Sequence, residues 1–87
     1  MKIYGYADRE LPPELIEPME LAEITLVAGP EELRQIASFL TAAAARMESM
    51  GSAFSHEHLA DKLPAFSSSP HFVVFNPFAS DLQKTDR

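Results

Sequence analysis

Between Pro30 and Met50 the sequence carries apolar residues at helical spacing, and that one feature constrains the fold more than any other. Leu33, Ile36, Ala37, Leu40, Ala44 and Met47 recur at steps of three and four, which at 100° per residue stacks them on a single stripe. Phe39, Ala43 and Met50 widen the apolar arc, while Glu31, Arg34, Gln35, Ser38, Arg46 and Ser49 take the remaining surface. The run Gly29-Pro30-Glu31-Glu32 is a helix start: proline at the first position gives up no needed amide, and two carboxylates meet the positive end of the dipole. Gly51 suits a left-handed stop.

A one-sided helix must lay its stripe on something, and the flanking segments read as strands. Residues 2–7 alternate as a short strand, with Tyr4 and Tyr6 on one face. Pro12, Pro13 and Pro18 make residues 8–20 a surface loop, since proline cannot continue a ladder. In residues 21–28, Ala22, Ile24, Leu26 and Ala28 share a face, which predicts a half-buried strand. Residues 52–61 fit either a short strand or an extended loop, and residues 62–69, with Pro64 and three serines, a turn or mobile connection. Residues 71–75, His-Phe-Val-Val-Phe, form the strongest strand signal. Apolar residues on both of its faces predict a central strand or one covered by another subunit.

The expectation is therefore an α+β, two-layer domain over residues 1–78. It would have a three- or four-stranded, mostly antiparallel sheet with one long helix packed on one face, and a disordered tail at 79–87. Below roughly 80 residues a core alone rarely supplies more than about 3–5 kcal/mol, and at 87 residues this chain is close to that size. The chain has no cysteine, so neither a disulfide nor a thiolate metal site can assist, and self-association becomes the leading source of help. Phe39, Phe78 and the second face of the strand at 71–75 are the candidates for a homodimer contact.

Thirteen acidic against seven basic residues give a formal charge of −6, which disfavours nucleic acid and anionic lipid as partners. No stretch approaches 18 apolar residues, and Asp8 and Glu10 interrupt the start before an apolar run of signal-peptide length. A cytoplasmic protein with no membrane partner is the resulting expectation.

The chemically suggestive segment is Ser55-His56-Glu57-His58-Leu59-Ala60-Asp61. If extended, it sets His56 and His58 on one face roughly 7 Å apart, a separation one metal ion can bridge. His71 is the remaining histidine. With Glu57 pointing away, Asp61 is the better-placed carboxylate. His-x-His also arises by chance among surface and packing histidines, and no further ligand motif accompanies it. A small histidine-dependent metal-binding protein or metalloenzyme is thus kept as the alternative, and no metal or cofactor is assigned. No serine sits in a Gly-x-Ser-x-Gly elbow, and Gly5, Gly29 and Gly51 form no phosphate loop, so no catalytic group is nominated and a non-enzymatic role is expected.

The clearest surface feature is acidic. Asp8, Glu10, Glu14, Glu17, Glu20, Glu23, Glu31 and Glu32 are opposed only by Arg9 between positions 8 and 32. Such a cluster either serves solubility alone or steers and holds a basic protein partner, and Glu10, Glu14, Glu17, Glu20 and Glu23 are the candidate contacts.

The order of elements, the Pro30-Glu31-Glu32-Leu33 helix start, Phe54-Ser55-His56-Glu57-His58-Leu59 and the closing Phe72-Val73-Val74-Phe75-Asn76-Pro77 together resemble immunity protein 32. This is a family of small bacterial α+β proteins encoded beside polymorphic toxins, and the likeness spans residues 1–77. The resemblance implies a protein that binds and blocks a toxin without catalysis, and an acidic surface would suit a toxin with a basic groove. A homodimeric structural or regulatory domain is the remaining reading.

Overall fold

In the computed structural model, residues 1–7, 12 and 17–79 are described. The chain forms β1 (Tyr4–Gly5), β2 (Met19–Glu20), α1 (Pro30–Met50), β3 (His56–His58), α2 (Leu59–Lys62) and β4 (Val73–Phe75), with 3-10 turns at Gly51–Ala53 and Pro64–Phe66. It is an α+β mixture with one long helix. The strands fall into two separate antiparallel pairs, β1–β2 and β3–β4, where a single sheet was expected.

Helix α1 has the predicted bounds. Its first turn closes through Leu33 N–H on the Gly29 carbonyl at 3.0 Å, and Glu32 Oε1 accepts the Gly29 N–H at 2.9 Å. That is the return half of a capping box, glycine having no side chain to supply the other half. At the far end Gly51 adopts φ 59° and donates its N–H to the Met47 carbonyl. The positive φ agrees with a glycine stop, but ψ of −137° lies outside the left-handed helical well, so the chain leaves α1 in a conformation that essentially only glycine adopts.

The buried face of α1 differs from the predicted stripe. Ile36, Phe39 and Ala43 are buried, whereas Leu33, Ala37, Leu40 and Ala44 are exposed. Ile36 belongs to that stripe and Phe39 and Ala43 to the arc flanking it, so the seam is the predicted stripe turned toward one flank, by roughly 75° at 100° per residue. The reason lies in what covers it. Ile36 and Phe39 pack with Leu59 of α2 and Phe66 of the second 3-10 turn, flanked by Leu63, Phe72 and Val74. The Phe39 and Phe72 rings meet edge to face, with centroids 6.4 Å apart at 81°.

The segment at 62–69, expected as a turn or mobile connection, thus supplies a core residue in Phe66. Its backbone is held by Phe66 N–H on Leu63 O at 2.9 Å and Ser69 N–H on Phe66 O at 3.0 Å. Ala79, which sequence placed in the tail, is also buried, and its N–H reaches the Asn76 carbonyl at 3.2 Å.

Strands β3 and β4 pair with His56 opposite Phe75, Glu57 opposite Val74 and His58 opposite Val73. The ladder is extended at its ends by Leu59 N–H to Phe72 O (2.8 Å) and Asn76 N–H to Ser55 O (2.9 Å). Side chains alternate along the strands, so Glu57 and Val74 share the helix side and His56, His58, Val73 and Phe75 share the outer face. The N-terminal pair is smaller: Tyr4 opposes Glu20 and Gly5 opposes Met19, continued by Leu21 N–H to Ile3 O at 2.7 Å. Residues 21–28 bend at Ala22, form no strand and, apart from half-buried Ala28, are exposed, in contrast to the half-buried strand predicted there. No helix among the described residues is long and apolar enough to cross a membrane.

Candidate functional site

Of the five candidate partner-binding carboxylates, Glu17, Glu20 and Glu23 are exposed on the N-terminal segment, and Glu10 and Glu14 lie outside the described residues. Glu31 and Glu32 follow at the start of α1. Glu31 makes a 3.7 Å ion pair with Arg34, but both side chains are about three-quarters exposed, so the pair offsets little of the local charge. The described carboxylates are spread along the chain. They line an extended stretch of chain leading to the positive end of a helix, an arrangement suited to a broad electrostatic contact.

The histidines divide. His56 and His58 lie on the outer face of the β3–β4 pair with ring centroids 5.2 Å apart. His56 stacks on Phe75 at 4.7 Å and 19°, and its Nδ1 lies 3.1 Å from Ser55 Oγ. His71 precedes β4 by two positions, and the register puts Val73, not His71, beside His58. Among the described residues no group of three histidine, cysteine, aspartate or glutamate side chains is placed to hold a metal ion. The imidazoles are instead part of a face shared with Val73 and Phe75, of which Phe75 is 55% exposed; Phe78, just beyond β4, is 80% exposed. Phe39, the third residue nominated for a homodimer contact, is 4% exposed and belongs to the core, because the seam of α1 is turned toward α2.

Glu57 carries the strongest electrostatic interaction described. On the helix side of β3 it forms a two-pronged pair with Arg46: Arg46 Nε and one terminal nitrogen each donate to a separate carboxylate oxygen at 2.5 Å. Lys62 Nζ stands 3.9 Å from the same group. The forked geometry fixes both planes and ties α1 to β3. The hydrogen bonds from Arg46 hold the Glu57 carboxyl below its ordinary value of 4.5, and the same bonds raise the Arg46 guanidinium. Arg46 and Lys62 also edge a shallow open groove of about 200 Å³, with Ser38, Phe39, Ala42 and Leu63. Its cations already face Glu57, which leaves little charge to recruit an anion.

The sign of the pH effect follows from Glu57. Its pKa is lower in the folded chain than in the unfolded one, so the stability it contributes is fully present above about pH 4.5 and is lost as pH falls through the folded value. Thermal melts are expected to decline below that pH, and Glu57→Gln is expected to lower Tm by a few degrees at neutral pH while flattening the decline. A parallel acid profile in Glu57→Gln and the parent would show that other carboxyls govern the transition.

Two features had little or no sequence signature. Arg46 was placed on the polar side of the helix, with nothing to indicate that Glu57, 11 residues on, would meet it. Asn76 was read only as the end of a strand. It is 1% exposed, and its Nδ2 donates to the carbonyls of Gly51 at 3.1 Å and Phe54 at 2.9 Å, while its Oδ1 accepts the Phe78 N–H at 3.0 Å. The Asn-Pro dipeptide signals a turn, which accounts for the bond to Phe78, but not for the two carbonyls more than 20 residues upstream.

No family model matches the chain, and no curated protein or solved structure does so either.

Proposed function

We propose that this chain is a non-enzymatic protein-interaction domain of the immunity-protein type, which binds a basic toxin through the carboxylates of its N-terminal segment. The observation that carries the reading is the exposure of Glu17, Glu20 and Glu23 on an extended stretch that runs into the acidic first turn of α1. A surface of one sign raises the association rate of an oppositely charged partner and repels wrong ones. The resemblance to immunity protein 32 supplies the biological context: a toxin produced by the same bacterium and neutralised in the cytoplasm. The single sheet expected of the fold would form if the two strand pairs came together.

The test is co-expression with the product of the adjacent gene, followed by a triple substitution Glu17→Gln, Glu20→Gln, Glu23→Gln. The parent chain is expected to restore growth. The triple variant should associate at least tenfold more slowly at low salt and show a flatter salt dependence, with its melting temperature within a few degrees of the parent. Unchanged binding and salt dependence would reduce the cluster to a solubilising surface.

A further inference from the structure

We infer that residues 19–28 of one copy of this chain pack across the exposed face of α1 in a second copy, and the reverse, so that the protein is a symmetric dimer built by exchange of N-terminal arms. This stands apart from the acidic-partner reading and does not depend on it.

Two apolar surfaces of the same chain are left uncovered. On the arm, Met19, Ile24 and Leu26 stand about half open and Val27 is 96% exposed. On α1, Leu33 and Leu40 are 43% and 42% exposed, with Ala37 and Ala44 exposed between and beyond them on the same stripe. With roughly 200 Å² to a large side chain, these six leave on the order of 600 Å² of apolar surface open. That approaches the roughly 800 Å² each partner gives to a standard interface, before the alanines and the arm backbone are added.

The connection between the two surfaces favours a second copy. A strand that packs on the helix following it usually reverses through a loop of about 2–6 residues. Here residues 23–29 carry neither turn nor bend, and Gly29, at φ −81° and ψ 175°, stays extended up to the first residue of α1. Exchange of an identical element between two copies is a low-cost route to a dimer, and a hinge that does not turn the arm back leaves that route open. The exposed stripe of α1 lies about 90° around the helix from the face covered by α2 and the β3–β4 pair, by the 100° step. An arm laid there would bring a second strand pair under the same helix, giving each α1 four strands, two of them from the partner.

Net charge does not forbid the contact. Although each chain carries −6, the arm at 19–28 holds two charges, Glu20 and Glu23, and the stripe at 33–45 holds one, Arg34. The remaining charges lie outside the patch, where salt screens them beyond about 8 Å.

Sedimentation equilibrium of the full chain at tens of micromolar is expected to give twice the chain mass of 9.6 kDa; the single-chain mass would overturn the inference. Because the chain has no cysteine, introduced thiols report only on themselves. An Ile24→Cys chain mixed with a differently tagged Leu40→Cys chain, refolded together and treated with a flexible bismaleimide, should yield the mixed product in excess of either self-linked one. A dimer that gives no mixed product overturns arm exchange. Leu26→Asp is expected to sediment at the single-chain mass, and a Leu26→Asp dimer of undiminished affinity would also overturn it. Should that variant fail to fold, the cross-linking result alone decides.

Discussion

Phe39→Ala is expected to leave most of the chain unfolded at 25 °C. Phe39 is the largest side chain that α1 commits to the core. It is 4% exposed, shares a cluster with Ile36, Leu59 and Phe66, and meets Phe72 edge to face. Truncating a buried phenylalanine costs about 3–5 kcal/mol through lost transfer energy and the cavity left behind. A core in a chain this short supplies little more than that in total. Urea titration followed by circular dichroism should therefore show no folded baseline for Phe39→Ala. Phe39→Leu, which retains most of the volume, should lose about 1–2 kcal/mol and still fold. The gradient between the two separates packing from helix propensity, since both replacements favour a helix. A Phe39→Ala protein that melts within two degrees of the parent would mean that the seam of α1 lies elsewhere.

The second large effect is at Asn76. Three hydrogen bonds converge on its side chain: two donated to the carbonyls of Gly51 and Phe54, one accepted from Phe78. Asn76→Ala leaves the Phe54 carbonyl without its partner in a buried site and removes the part-buried bonds to Gly51 and Phe78. At roughly 1–3 kcal/mol for a buried group left unpaired, with some relaxation, the loss is about 2–4 kcal/mol. For a domain of this size that corresponds to a Tm lower by about 10–25 °C. Asn76→Asp tests the direction of the bonds. It keeps the shape and the acceptor for Phe78 but presents a carboxylate to two carbonyl oxygens, so at neutral pH it should be at least as harmful as alanine. Differential scanning calorimetry distinguishes these outcomes, and a loss below about 1 kcal/mol for Asn76→Ala would show that the side chain does not join the end of β4 to the helix exit.

Both effects arise where distant parts of the chain meet, and this explains how much of the fold was legible. Helix α1 could be delimited from sequence because its signals are local: Pro30 and two acids at one end, Gly51 at the other, and apolar residues at three- and four-residue steps between. The strand at Val73–Phe75 was legible for a similar reason, its β-branched and aromatic run being bounded by Pro70 and Asn76-Pro77. That His56 and His58 share one face and Glu57 the other follows from the period of a strand once the segment is one, which the sequence left open, as it left open which face turns outward. In contrast, the face that α1 buries is turned by roughly 75° from the predicted stripe, toward the flank that carries Phe39 and Ala43. Leu33, Ala37, Leu40 and Ala44 of the predicted stripe and the seam at 36, 39 and 43 are both apolar, Ile36 belonging to both stripe and seam, and the three- and four-residue period does not rank the two edges. The choice fell to Leu59, Phe66 and Phe72, whose positions depend on the turns after β3.

The candidate site follows the same division. Charge is a property of composition, so the acidic segment was visible at once, and Glu17, Glu20 and Glu23 are exposed as charged groups on a proline-rich stretch should be. What sequence alone determined is therefore local and periodic: the helix and its ends, the last strand and the sign of the N-terminal surface. Only the tertiary structure decided which of two greasy faces the helix turns inward, that Arg46 grips Glu57, and that Asn76 bonds carbonyls more than 20 residues away. Hydrogen bonds and packing join groups by distance in space, and for a chain that reverses through irregular turns that distance is set by every intervening dihedral at once.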